Sequence, residues 1–260
     1  MVYAMEEYRS WFDSFTGEFI RKAVENGDKD NIRIKVDHSF RVLDNMNRIT
    51  ASLALDDAMR ELARIVALFH DLGRFPQYMR YKTFNDGESE NHALLALKVL
   101  RENGPLAALS REHRRLVLGA IWLHNRFSIS PGLSRNLSLL ARAIRDADKL
   151  DIFRIMVSHL KADSPRNDLV TLHLKPHPTA YTKSIAGAVR SGKLGRYEEM
   201  AWINDFTLLL CSWIYDFNFP ASRKMLLDSG HFETVLALLP EERELGTLKE
   251  RLREDLRKGL

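Results

Sequence analysis

The chain has 260 residues, 45% of them hydrophobic and 28% charged, with a formal net charge of +4 and a single cysteine. That content can fill the core of one large helical domain, or of one domain with an appended lobe, and argues against disorder. The lone Cys211 excludes an intrachain disulfide framework and a thiolate zinc site and fits a reducing compartment, while Lys and Arg are dispersed among carboxylates rather than gathered in nucleic-acid-binding runs. The segment Met1 to Arg21 carries early acids and no continuous apolar stretch, so it does not read as a signal peptide. No apolar run reaches bilayer length. The expectation is a soluble, cytoplasmic protein with no membrane partner and no specific nucleic acid.

Helical periodicity runs through nearly the whole chain and strand alternation is almost absent. A first helix is predicted over Tyr8 to Val24, ending near Asn26-Gly27-Asp28. The second covers Ile32 to Leu53, with Val42, Met46, Ile49 and Leu53 on one stripe. The third is capped by Asp56 or Asp57 and carries Met59, Leu62, Ile65, Val66 and Phe69 into His70-Asp71-Leu72-Gly73, with Gly73 and Pro76 marking its end. Gln77 to Glu88 reads as a loop. A fourth helix spans Ser89 to Glu102, a fifth runs from the cap Ser110 to Leu123, and a long sixth covers Leu137 to Leu160. Asp163 to Pro178, with three prolines, reads as a connector. Further helices fill Ser184 to Leu260, one of them very apolar (Trp202 to Tyr215), and the last (Glu241 to Lys258) reads as a solvated, charged helix. The expected domains are 1–165 and a C-terminal helical extension, 166–260, packed on it.

The chemistry-bearing residues occupy particular positions in these helices. His38 falls in line with Val42, Met46 and Ile49. His70 and Asp71 directly follow Ala67-Leu68-Phe69, His92 precedes Leu95, Ala96 and Val99, and His124 ends the run Leu118 to Leu123. Asp148 is flanked by Ile144, Leu150 and Ile152. Taken singly, a histidine on an apolar stripe is more often a hydrogen-bonded core residue than a ligand, and a carboxylate at a helix end is more often a cap. Separate helices each delivering such a group to the inner side is a different matter, because buried imidazoles and carboxylates are rare unless paired or bound to a metal.

The series His38, His70-Asp71 and Asp148 resembles the HD superfamily of metal-dependent phosphohydrolases. The phrases Leu68-Phe69-His70-Asp71-Leu72-Gly73-Arg74 and Asp146-Ala147-Asp148-Lys149-Leu150-Asp151 are similar to two of its motifs, and the likeness covers about Asp37 to Ile155. The resemblance implies an all-α helical bundle of the HD-domain type, with the region after Pro165 as an additional C-terminal lobe. It makes His38, His70, Asp71 and Asp148 ligands of a first metal, and His92 and His124 ligands of a second, bridged by Asp71. Some two-metal members have adjacent histidines at the fourth motif, where this chain has His124-Asn125.

Imidazole and carboxylate donors favour iron or manganese, with cobalt, nickel, zinc and magnesium as alternatives. The reading is hydrolysis of a phosphate ester or anhydride, of a nucleotide or dinucleotide, by water activated on one or two divalent ions. Asp71, Arg74 and Lys149 are the catalytic candidates. Arg74, Lys149, Arg41 and Arg126 are candidate phosphate contacts, each weighed against a plain surface ion pair. Asp146 and Asp151 are expected to orient ligand histidines or to pair with arginines. His113, His159, His173, His177 and His231 match no motif position. Competing readings are a cyclic dinucleotide phosphodiesterase, a diiron oxygenase of the same fold, and a non-catalytic signalling domain; self-association is left open.

Overall fold

The computed structural model describes residues 5–25, 27–160, 167–258 and 260. The described residues are helical throughout, with no strand and one isolated bridge between Lys175 and Trp202. None of these helices is long and apolar enough to cross a membrane. The chain divides into two compact units, Met1–Asp148 and Lys149–Leu260. That division lies inside a long helix, whereas the sequence places its boundary near residue 165, outside the described residues.

In the first unit, helix α1 covers Met5–Glu25, α2 Lys29–Ala51, α3 Asp57–Phe69, α4 Arg74–Tyr81, α5 His92–Asn103 and α6 Arg111–Leu123; α7, Arg135–Leu160, begins here. The core sits around α3, which packs on α1, α2 and α6. Leu62, Ala63, Ile65, Val66, Ala67, Leu68 and Phe69 are all fully buried. The second half of α3, Ile65 to Phe69, is apolar and buried on every side, whereas Asp57, Arg60 and Arg64 in its first half reach solvent. Trp11 and Tyr8 of α1 meet Phe69 edge-on, and Phe12 and Phe15 meet Phe75 of α4 in the same way. Each buried ring of this kind contributes roughly 1.5–3 kcal/mol.

The caps behave as their residue types require. Asp56 accepts from the Met59 amide, Asn91 from Leu94 and Ser110 from His113. Gly104 closes α5 in the left-handed region at φ 67°, a conformation that costs glycine nothing. The expected loop from Gln77 to Glu88 is corrected: residues up to Tyr81 belong to α4. Pro76 lies in the first turn of that helix, where its missing N–H has no intrahelical partner to lose, so it does not terminate the chain's helical course. Helix α4 ends instead at Lys82, in the left-handed region with φ 56°.

In the second unit, α8 covers Lys183–Arg190, α9 Ile203–Ser212, α10 Pro220–Ser229, α11 His231–Leu238 and α12 Arg243–Arg257. The apolar α9 packs against α8 and α11. The last helix is not solvated on all sides: Leu245, Leu248, Leu252 and Leu256 are buried on one stripe. Its many charges outnumber that stripe and obscure it in a composition-based reading, but a spacing of three and four residues aligns the leucines on one face.

Candidate metal centre

Two groups of donors meet around one carboxylate. His38 projects from α2, and His70 is the residue that caps the C-terminus of α3. Their Nε2 atoms lie 3.3 Å apart, and His38 Nε2 is 3.5 Å from Asp71 Oδ2. These three residues, all buried, offer ligand atoms within 4.8 Å of one another. Asp148 Oδ1, from α7, approaches the same imidazoles at 3.1 Å from His38 Nε2 and 3.9 Å from His70 Nε2. The second group is His92, the first residue of α5, and His124, the C-cap of α6. Their Nε2 atoms are 3.0 Å apart, and they face the other oxygen of Asp71, Oδ1, at 3.5 and 4.0 Å. Asp71 therefore turns one oxygen to each histidine pair.

Local structure presets the rings. His70 Nδ1 donates to the Ala67 carbonyl at 2.8 Å, and His124 Nδ1 to the Ile121 carbonyl at 2.6 Å. Both acceptors lie three residues back, among the last carbonyls of a helix, which lack an intrahelical partner. His92 Nδ1 meets Asp86, at 2.7 Å from Oδ2. A carbonyl or carboxylate can only accept, so in these three rings the proton is assigned to Nδ1 and Nε2 carries the lone pair. The C-termini of α3 and α6, the negative ends of their dipoles, both close on this region.

Burial lowers the pKa of His70, with the nearby carboxylates opposing it. His92 is lowered by burial and then by the Arg74 charge. His124 is pushed down to about 3 by burial and by its neighbours His92 and His70. Burial acts to raise Asp71, but Lys35, His70, Arg74 and His92 outweigh it and hold the carboxyl well below its ordinary range. Asp148 is likewise lowered against burial, chiefly through its hydrogen bond to His38. The result is neutral imidazoles at His70, His92 and His124, with the bare Nε2 lone pairs of His92 and His124 3.0 Å apart, beside ionised carboxylates. Lone pairs at that separation repel unless a cation lies between them, and the mixed nitrogen and oxygen donor set suits a divalent transition metal. The residues fit such an ion in each group.

The remaining sequence candidates fare differently. Arg74 faces Asp71 Oδ1 through Nε at 3.4 Å, while its Nη1 is held by Gln77, the Phe84 carbonyl and Asp86. Its buried Nε has no hydrogen-bond partner. Lys149 is buried, with its ammonium paired to Asp216. Arg126 stacks its guanidinium 3.6 Å from the Trp122 ring centroid, and Arg41 is half-buried on α2. Asp146 and Asp151 are buried; the Nδ1 partners of His70, His92 and His124 are Ala67, Asp86 and Ile121.

Two residues went unseen in the sequence. Lys35 places Nζ 3.0 Å from Asp71 Oδ2; its position one turn before His38 on the same helix face was the available signal. Asp86 falls inside the expected loop Gln77 to Glu88, in Asn85-Asp86-Gly87, a sequence that signals a turn, and nothing local marks it otherwise.

Residues 36–152 match the family model described as HD domain, nearly the span on which the sequence motifs lie. No curated protein and no solved structure gives a significant match to the chain. With an all-helical fold, a matching segment that carries every histidine of both groups, and donor geometry able to hold metal, residues 36–152 read as an HD domain.

Proposed function

We propose that the protein hydrolyses a phosphate ester or anhydride of a nucleotide or dinucleotide, using two divalent transition-metal ions, iron or manganese by preference. The observation that carries this reading is the division of Asp71 between the two histidine pairs, Oδ2 toward His38 and Oδ1 toward His92. His38, His70, Asp71 and Asp148 would hold the first ion, and Asp71, His92 and His124 the second. Bound there, the ions supply water activation and charge neutralisation at phosphate.

The chain's own residues contribute the rest. Lys35 and Arg74 flank Asp71 from opposite oxygens, so two cationic side chains stand beside the donors where an anionic group would meet the ions. Arg74 is anchored through Nη1 with its Nε turned to Asp71, so its guanidinium stands beside the shared carboxylate and can meet phosphate without a large loss of side-chain freedom. The neutral imidazoles keep their lone pairs for coordination instead of binding protons. Lys149, Arg41 and Arg126 remain phosphate-contact proposals of lower rank, since Lys149 is paired with Asp216 and Arg126 lies on Trp122. The bridged geometry also suits a cyclic dinucleotide phosphodiester.

The test is metal analysis of protein purified without chelator, with a screen of nucleotides and phosphodiesters against Mn, Fe, Co, Ni and Mg. Between one and two ions per chain are expected, and Asp71→Ala should abolish hydrolysis and most metal binding. Full activity in that variant would overturn the site assignment.

A further inference from the structure

Asp86 lies in the short 3-10 turn Asp86–Glu88 between α4 and α5, where no motif places a functional group. Its carboxylate gathers donors from three separate parts of the first unit. Oδ1 accepts from Arg74 Nη1 at 3.0 Å and Gln77 Nε2 at 2.9 Å, both on α4. Oδ2 accepts from Asn125 Nδ2, beside His124, at 3.2 Å. Both oxygens lie within 2.8 Å of His92 Nδ1. The carboxyl is held well below its ordinary range: burial opposes this, but the hydrogen bond and charge of His92 and the charge of Arg74 prevail.

The reason for an external acceptor at His92 is its place in its helix. His70 and His124 stand at helix C-termini, where free carbonyls orient them. His92 is the first residue of α5, and a helix N-terminus exposes N–H groups, not carbonyls. No acceptor of the helix's own can take the Nδ1 proton there. The N-terminal end of the dipole also disfavours a cation nearby, and an ionised carboxylate beside it offsets that field.

Resting on the two-ion reading above, we propose that Asp86 is the positioning residue of the second ion: it fixes the ring and tautomer of His92 and, through Asn125, braces the segment that carries His124. Second-sphere carboxylates of this kind change metal affinity by about 10–100-fold. Asn125 presents its amide with Nδ2 toward Asp86 because the carboxylate can only accept, so its orientation depends on the same group.

The experiment is titration of chelator-stripped protein with manganese, followed by calorimetry and equilibrium dialysis, for wild type, Asp86→Asn and Asn85→Ala. In Asp86→Asn the second ion should bind about 10–100-fold more weakly while the first keeps its affinity. Asn85→Ala loosens the same turn, because Asn85 Oδ1 accepts from the Gly87 amide, yet leaves the donors of the Asp86 carboxylate in place; both affinities should persist. Unchanged affinities in Asp86→Asn, or an equal loss in Asn85→Ala, would overturn the proposal. So would a wild type that binds only one ion. A wild type that binds none would bring down the two-ion reading itself. If Asp86→Asn fails to fold, Asp86→Glu, which keeps the charge but shifts the oxygens by a methylene, must show the same selective weakening, and uniform affinities in it would overturn the proposal.

Discussion

Neutral histidine is what the centre needs, and the surroundings of each ring decide it. His70, His92 and His124 are buried and shifted downward, His124 to about 3. Each is therefore deprotonated in the folded chain over a range where the unfolded chain, with a histidine pKa near 6.5, takes up a proton. Between those two values the unfolded state binds more protons, so stability rises with pH and is lost on acidification. The stabilising contribution of His124 is thus fully present above about pH 6.5 and fades as pH falls toward 3. Metal-stripped protein should show a urea midpoint that drops steadily from pH 7 to pH 5, with a shallower drop in His124→Gln. An identical slope in the variant would mean that this ring titrates normally. Lys35 illustrates the same scale: beside Phe84 and Asp71, one ammonium helps keep the shared carboxylate ionised despite its burial.

At the scale of elements, the two histidine pairs meet because helix ends are brought unusually close. Gly73 is the example. Its φ of −67° is open to any residue, so the glycine expected from sequence to terminate α3 has a different reason to be there. A Cβ at this position would stand 2.0 Å from the His92 carbonyl oxygen and 2.7 Å from the Ala96 amide nitrogen. The start of α5 runs directly over the turn that carries Asp71, and only a residue without a side chain admits it. Gly73→Ala should therefore cost about 1–3 kcal/mol or more in stability and weaken the second manganese ion more than the first. Denaturant unfolding and metal titration would check both; wild-type values for each would show that α5 yields without disturbing His92. Helices α3 and α6 use one local device, a histidine in the capping position bonded to the carbonyl three residues earlier, to present an imidazole from each.

For the molecule as a whole, the buried charge in the first unit would make a bound metal a stability determinant. Neutral imidazoles facing each other, with ionised Asp71 and Asp148 beside them, are an arrangement that a cation relieves. An ion that binds only the folded chain stabilises it by about 2.7 kcal/mol at a hundredfold excess over Kd. Manganese added to stripped protein should raise the melting temperature, chelator should reverse the rise, and Asp71→Ala should respond to neither. A wild type indifferent to metal in thermal melts would contradict this. The second unit is built on a separate set of contacts, with Phe153, Trp213 and Phe232 ring to ring and the leucines of α12 buried.

The sequence alone determined the all-helical class, most helix positions and the residues that converge, because helical periodicity and capping are local properties and His70-Asp71 with its partners stands out from an apolar background. It was misleading where a local signal has two meanings. Pro76 ends a helix or opens one, a charged helix such as α12 can hide a leucine stripe, and Asn85-Asp86-Gly87 reads as a turn whether or not its carboxylate reaches a histidine. Only the tertiary structure decided that Asp71 divides its oxygens between two pairs, that Lys35 and Asp86 stand beside them, and that Lys149 is engaged with Asp216. Those facts depend on distances between helices far apart in the chain, which packing sets and no local pattern encodes.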